Sequence, residues 1–148
     1  MRSRRGGIIA GLILADTSVW IDHLRAGDLG LETLLQDCRV LGHPFIINEL
    51  ALGSLRQRGQ ILAALDGLPQ VAIAGNDEVR HLIERHRLYD IGIGFIDAHL
   101  LASSLLTRDA ALWTRDRRLA AAATRLGVGF TPTTFTPTTF TPTTFTPV

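Results

Sequence analysis

Gly11-Leu12-Ile13-Leu14-Ala15-Asp16-Thr17-Ser18-Val19-Trp20-Ile21-Asp22 opens with an apolar run that has no polar alternation. That is the pattern of a strand buried on both faces. The polar trio Asp16-Thr17-Ser18 ends the run, and Ser18 is expected to cap a helix through Trp20, Ile21 and Leu24 that stops near Gly27. A doubly covered strand followed at once by a helix is the repeating unit of a parallel α/β sheet.

The alternation continues along the chain. A second helix is expected from Leu31 to Asp37, a short strand at Arg39-Val40-Leu41, a helix entered at Pro44 over Phe45 to Leu52, and a helical stretch from Gln60 to Leu65. Pro69 breaks the chain before a third strand, Val71-Ala72-Ile73. Asn76 or Asp77 starts a long amphipathic helix with Val79, Leu82, Ile83 and Leu88 on one face. Another helix runs from Phe95 or Ile96 to Leu106. Ala111-Leu112-Trp113 reads as the fourth strand, Asp116 to Leu126 as the last helix, and Val128 to Phe130 as a fifth short strand. The expected fold is a three-layer α/β/α sandwich around a central, mainly parallel sheet of four to five strands.

The 148 residues suit one domain, and 46% hydrophobic residues with a mean hydropathy of +0.20 exclude a chain disordered throughout. Fifteen basic residues against fourteen acidic ones leave a net charge of +1, so nucleic-acid binding needs a local basic patch. Every basic residue is Arg, which a GC-rich coding sequence explains more simply than phosphate recognition. Cys38 is the lone cysteine, which excludes an intrachain disulfide and a cysteine-built zinc site and makes the cytoplasm the expected compartment. Arg2, Arg4 and Arg5 before the mostly apolar run from Gly6 to Ala15 imitate a signal peptide, but no convincing small-x-small cleavage site follows. No apolar stretch reaches the ~18 residues that span a bilayer, so a soluble protein is expected.

Three zones result: a basic extension over 1–11, the globular domain over 12–130, and a Thr/Pro/Phe repeat tail over 131–148. Phe130, Phe135, Phe140 and Phe145 recur with period five in an uncharged segment whose prolines obstruct helix and sheet interior. The tail reads as a repeat expansion of an ordinary C-terminus without catalytic role; the competing reading makes its phenylalanines a docking or stacking surface.

Four acids fall where parallel sheets gather functional groups, outside the carboxyl ends of the strands. Asp16 ends the first strand, Glu49 lies on the helix after the second, Asp97 opens the helix after Gly92-Ile93-Gly94-Phe95-Ile96, and Asp116 follows the fourth strand. Singly, each is explained by helix capping or the helix dipole. Together, carboxylates at one edge repel one another unless a cation joins them. With no paired His and no Cys set, Mg²⁺ or Mn²⁺ is the fitting ion.

These segments also carry a family resemblance. Asp16-Thr17-Ser18-Val19-Trp20-Ile21-Asp22 resembles the opening motif of PIN domains, in particular the VapC toxins of bacterial toxin–antitoxin pairs. His43 to Gly53 is similar to the segment bearing that family's glutamate, here Glu49. Gly94 to Ser103 resembles the third acidic motif and Leu112 to Leu119 the last. The resemblance covers about Leu12 to Phe130 with all four motifs in order.

It implies a small metal-dependent endoribonuclease, usually a homodimer, restrained by a VapB-type antitoxin and cleaving structured or translation-related RNA, often tRNA. Asp16, Glu49, Asp97 and Asp116 would form the acidic, metal-holding set. Asp16 and Asp97 are assigned as direct ligands, with Glu49 and Asp116 acting through water or at a second metal. Thr114 matches the family's hydroxyl beside the last acid and would act from behind the ligands. Arg115, Arg117 and Arg118 have two readings, a grip on RNA phosphates or a solvated first helical turn.

Trp20 and Trp113 adjoin acidic motifs, where they either seal the core or stack bases. His81 and His86 are five apart and His99 follows Asp97 by two, so no histidine pair shares a face for metal binding. The helices between Phe45 and Leu65 serve either a dimer or antitoxin groove or ordinary core packing. A haloacid-dehalogenase-like phosphatase would want a second Asp where Ser18 stands, and a lysine, which the chain lacks. A dinucleotide-binding domain would want a Gly-rich turn in place of Asp16-Thr17-Ser18. The remaining alternative is a catalytically weak module that binds an antitoxin and helps regulate its operon.

Overall fold

Leu12–Ala15 forms β1, in which Ile13, Leu14 and Ala15 are all buried. Successive strand residues point to opposite faces, so burial of neighbours means that both faces are covered. The computed structural model describes residues 11–132. In it β1 is central, flanked by β2 (Val40–Leu41) and β3 (Ala110–Trp113) in the order β2-β1-β3. Both pairings are parallel: Ile13 lies opposite Val40 and Ala111, and Ala15 opposite Trp113.

The described helices are α1 (Thr17–Ala26), α2 (Leu29–Gln36), α3 (Pro44–Ala51), α4 (Arg58–Asp66), α5 (Asn76–His86), α6 (Phe95–Leu106) and α7 (Arg117–Arg125). They complete the three-layer α/β/α arrangement. Leu14, Leu31, Ile46, Leu100, Leu101, Leu112 and Leu119 fill the main core from sheet and helices alike. A smaller cluster of Ala74, Val79, Ala98 and Ala102 joins α5 to α6. None of the described helices is long and apolar enough to cross a membrane.

Two expectations need correction. The sheet of four to five strands is a sheet of three, extended on each side by one parallel bridge. Beyond β2, Gly42 bridges Gln70, but Ala72 N–H then donates to the Thr107 hydroxyl (2.8 Å), so 71–73 forms no strand. Beyond β3, Leu112 bridges Gly129 through bonds to Val128 and Phe130, and the pairing goes no further. The segments stand where a fourth and fifth strand would stand but are too short to count as strands. The cap of α1 is Asp16 rather than Ser18, because the Asp16 carboxylate accepts from Ser18 N–H as the helix begins. The extension over 1–10 and the tail beyond 132 lie outside the described residues.

Candidate active site

β1 and β3 run parallel, so their carboxyl ends share one edge of the sheet, and Asp16 and Thr114 leave side by side. Asp16 is 7% exposed and both of its carboxylate oxygens are used. Oδ1 accepts from the backbone N–H (2.9 Å) and hydroxyl (2.5 Å) of Ser18, and Oδ2 accepts from the Thr114 hydroxyl (2.6 Å). Thr114 Oγ1 in turn accepts from Asp116 N–H (3.0 Å), and Ser18 Oγ accepts from Arg115 N–H (3.1 Å). The start of α1 and the turn into α7 are therefore tied through two hydroxyls.

The other acids are held locally. Glu49, exposed on α3, accepts from the Thr17 hydroxyl (2.5 Å). Asp97 sits at the third position of α6 and reaches back to Gly94 N–H (3.1 Å), satisfying a donor at the helix start. Asp116 caps α7, accepting from Arg118 and Leu119 N–H at 2.8 and 3.0 Å.

The four acids meet electrostatically at Asp97. Burial and the negative charges of Asp116, Asp16 and Glu49 push its carboxyl above the usual carboxylate range, against the pull of Gly94 N–H. Among the described residues, no three His, Cys, Asp or Glu side chains are gathered as a ready metal cage. Each carboxylate is turned to its own donor. The donor set is nevertheless all oxygen, with an Asp97 carboxylate that gains from an added positive charge, and this fits a hard divalent cation.

The flanking arginines differ. Arg115 is committed to two carboxylates, with Nε on Asp22 (2.5 Å) and Nη2 on Asp28 (2.7 Å), and its guanidinium lies 5.5 Å from the centre of the Trp113 ring. Burial opposes its charge, but the bonds to Asp22 and Asp28 outweigh that and raise its pKa further. Arg117 and Arg118 are exposed and form no ion pair with another described residue. Trp20 and Trp113 are buried in the core, at 6% and 3% exposure, so of their two readings the structure supports core sealing. A groove of about 640 Å³ opens beside Glu49, lined by Ile21, Leu24, Arg25, Leu50, Arg56 and Ile61.

Two histidines matter more than their spacing suggests. His43, fully buried, caps α3 by accepting Phe45 N–H on Nδ1 (3.0 Å). Burial and nearby His99 lower its pKa to about 4. His99, 2% exposed, lies between Phe45 (4.9 Å) and Phe95 (4.5 Å). His43 was not singled out from the sequence, although a His directly before a helix-opening Pro was a usable capping signal. His81 is exposed and His86 half-buried on α5.

The architecture is that of a PIN domain, and residues 13–124 match the PIN domain family model. Ribonuclease VapC32 of Mycobacterium tuberculosis, in each of two strains, is 50% identical over 117 residues, covering 79% of this chain and 94% of the relative. The chain belongs to the PIN-domain family, and within it to the VapC ribonucleases.

Proposed function

We propose that this chain is the toxin of a toxin–antitoxin pair, an endoribonuclease that hydrolyses RNA phosphodiester bonds with Mg²⁺ or Mn²⁺ held at Asp16, Glu49, Asp97 and Asp116. The observation that carries the reading is that Asp16 and Asp116 are tied through Thr114, and Glu49 through Thr17, at the carboxyl edge of the sheet, where burial first and the charges of these three acids next push the Asp97 carboxyl up. Acids kept this close destabilise one another without a cation and serve one well. Asp16 and Asp97 are the direct ligands in this reading, with Glu49 and Asp116 acting through water or at a second ion. When bound, the ion supplies Lewis acidity towards a phosphoryl oxygen and lowers the pKa of water.

The chain's own residues position and restrain. Ser18 and Thr114 fix both oxygens of Asp16, so the carboxylate is oriented before substrate arrives. Thr114 also links Asp16 to the backbone of Asp116, and Thr17 holds Glu49 towards α1. That the M. tuberculosis relatives are ribonucleases by name supports RNA as substrate, and translation-related RNA such as tRNA is the class proposed. A VapB-type antitoxin is the proposed partner, for which the groove of mixed apolar and charged lining beside Glu49 offers a seat next to that acid. A homodimer in the cytoplasm completes the reading.

The test is purified protein, freed of any copurifying partner, incubated with total bacterial RNA in Mg²⁺, Mn²⁺ or EDTA beside Asp97→Asn, with the cut ends mapped by sequencing. Discrete cuts that need the cation and disappear in the variant are expected. A folded protein that cuts no RNA in either metal would instead support an antitoxin-binding module without nuclease activity.

A further inference from the structure

Gly92 lies in the turn before α6, with φ of +84°, a left-handed conformation that favours glycine. What faces it is the Arg118 side chain. A methyl group on Gly92 would lie 2.6 Å from both Cδ and Nη1 of Arg118, and 3.0 Å from its Cζ. The guanidinium therefore rests on a backbone with nothing projecting from it. Arg118 belongs to the first turn of α7, where its N–H is bonded to the Asp116 carboxylate. Its side chain thus spans from the element that carries Asp116 to the turn that delivers Asp97. Neither acid takes it as a partner, and no other described residue forms an ion pair with it. Arg115, three residues earlier and ahead of the Asp116 cap, is already paired with Asp22 and Asp28.

An exposed arginine with no ion-pair partner among the described residues, in the turn that Asp116 caps and against the turn that leads to Asp97, answers a specific difficulty. A polyanionic substrate is repelled by this edge, and a phosphate next to the scissile one needs a positive group that the acids do not neutralise. A guanidinium suits it, because its fork matches phosphate oxygens. We propose that Arg118 binds an RNA phosphate adjoining the scissile bond, and that Gly92 is the positioning residue that seats it. This rests on the nuclease reading for the identity of the site, but the contact itself is a binding property.

The experiment measures binding of fluorescently labelled bulk bacterial tRNA to the full chain carrying Asp97→Asn, so that the probe survives, across a salt titration. Arg118→Ala is expected to weaken binding about ten-fold, as for one lost charged hydrogen-bonding group, and to reduce the salt slope by about one. Arg118→Lys keeps the salt slope while losing part of the affinity. Gly92→Ala weakens binding in the same direction, and its effect disappears in the Arg118→Ala background, because residues that act through one another are not additive. In the chain with native Asp97, the Arg118→Ala loss is expected in KM more than in kcat. Thermal melts of each variant separate this from the backbone cost of alanine at a positive φ. Unchanged affinity and salt slope in Arg118→Ala would overturn the contact. A Gly92→Ala effect of equal size with or without Arg118 would overturn the seat. If the binding pattern holds and no RNA is cut, the nuclease reading fails while the contact stands; cleavage with unaltered binding has the reverse meaning.

Discussion

Asp97 is where the cost of the site is concentrated. Its carboxyl is half-buried and faces the charges of Asp116, Asp16 and Glu49, with one N–H, from Gly94, in its favour. Because its pKa is raised, the folded chain holds this proton at pH values where the unfolded chain has released it. Stability from this group is present at low pH and is lost as pH rises through the raised value. Asp97→Asn removes the repulsion at neutral pH, so in EDTA the variant is expected to melt about 2 °C above the parent. Added Mg²⁺ should raise the melting temperature of the parent and move the variant less. Parallel shifts in both proteins would show that Asp97 does not take part in binding the ion. The acid itself was legible in the sequence because it follows a glycine-rich turn before an apolar helix. The commitment of Arg115 was not, since Asp22 and Asp28 lie 93 and 87 residues away along the chain.

Between elements, α3 and α6 are joined by an aromatic layer in which two histidines stand as nearly apolar groups. His43 Nδ1 accepts a backbone N–H, so the proton of the neutral ring is on Nε2, which is buried without a partner among the described residues. The folded chain keeps His43 neutral down to about pH 4, whereas the unfolded chain protonates it near 6.5. Between those values the unfolded state binds more protons, so the His43 contribution is complete above pH 6.5 and falls by about 3 kcal/mol towards pH 4. His43→Asn keeps a capping oxygen and cannot titrate. Urea midpoints at pH 7 and pH 4.5 should therefore drop markedly less in the variant, and equal drops would remove His43 as the cause. The helices around this layer were readable from Pro44, from the glycines before Phe95 and from apolar spacing. The segment 71–73 was misread as a strand because its apolar triplet satisfies a local pattern. Only the Thr107 hydroxyl, distant in sequence, takes Ala72 N–H out of a ladder. Both outer strands failed in extent rather than in place, since pairing length depends on such partners while position follows from the alternation of elements.

At the scale of the molecule, the direction of the sheet determines how residues 128–130 pack. Residues 128–130 run parallel to β3, Phe130 N–H donates to Leu112 O (3.0 Å), and the Phe130 ring packs 5.5 Å from Trp113. Residues 128–130 therefore run towards the edge that carries Asp16, Thr114 and Asp116. The repeat residues beyond 132, with a phenylalanine every five residues, carry no side-chain charge with which to hold a phosphate. What secures the domain is the part already packed: Val128 is buried at 8% exposure, Leu112 N–H donates to its carbonyl (2.7 Å), and Phe130 covers Trp113. A chain ending at Pro132 is thus expected to melt and to cut RNA as the full chain does, within about two-fold. A chain ending at Leu126 loses the Val128 and Phe130 contacts and should be less stable by about 3 kcal/mol, from their apolar burial. Melting temperatures and cleavage rates of the two truncations decide the role of the repeats. Lost cleavage in the chain ending at Pro132, with its melt unchanged, would make the repeats part of substrate or partner recognition instead of an appendage.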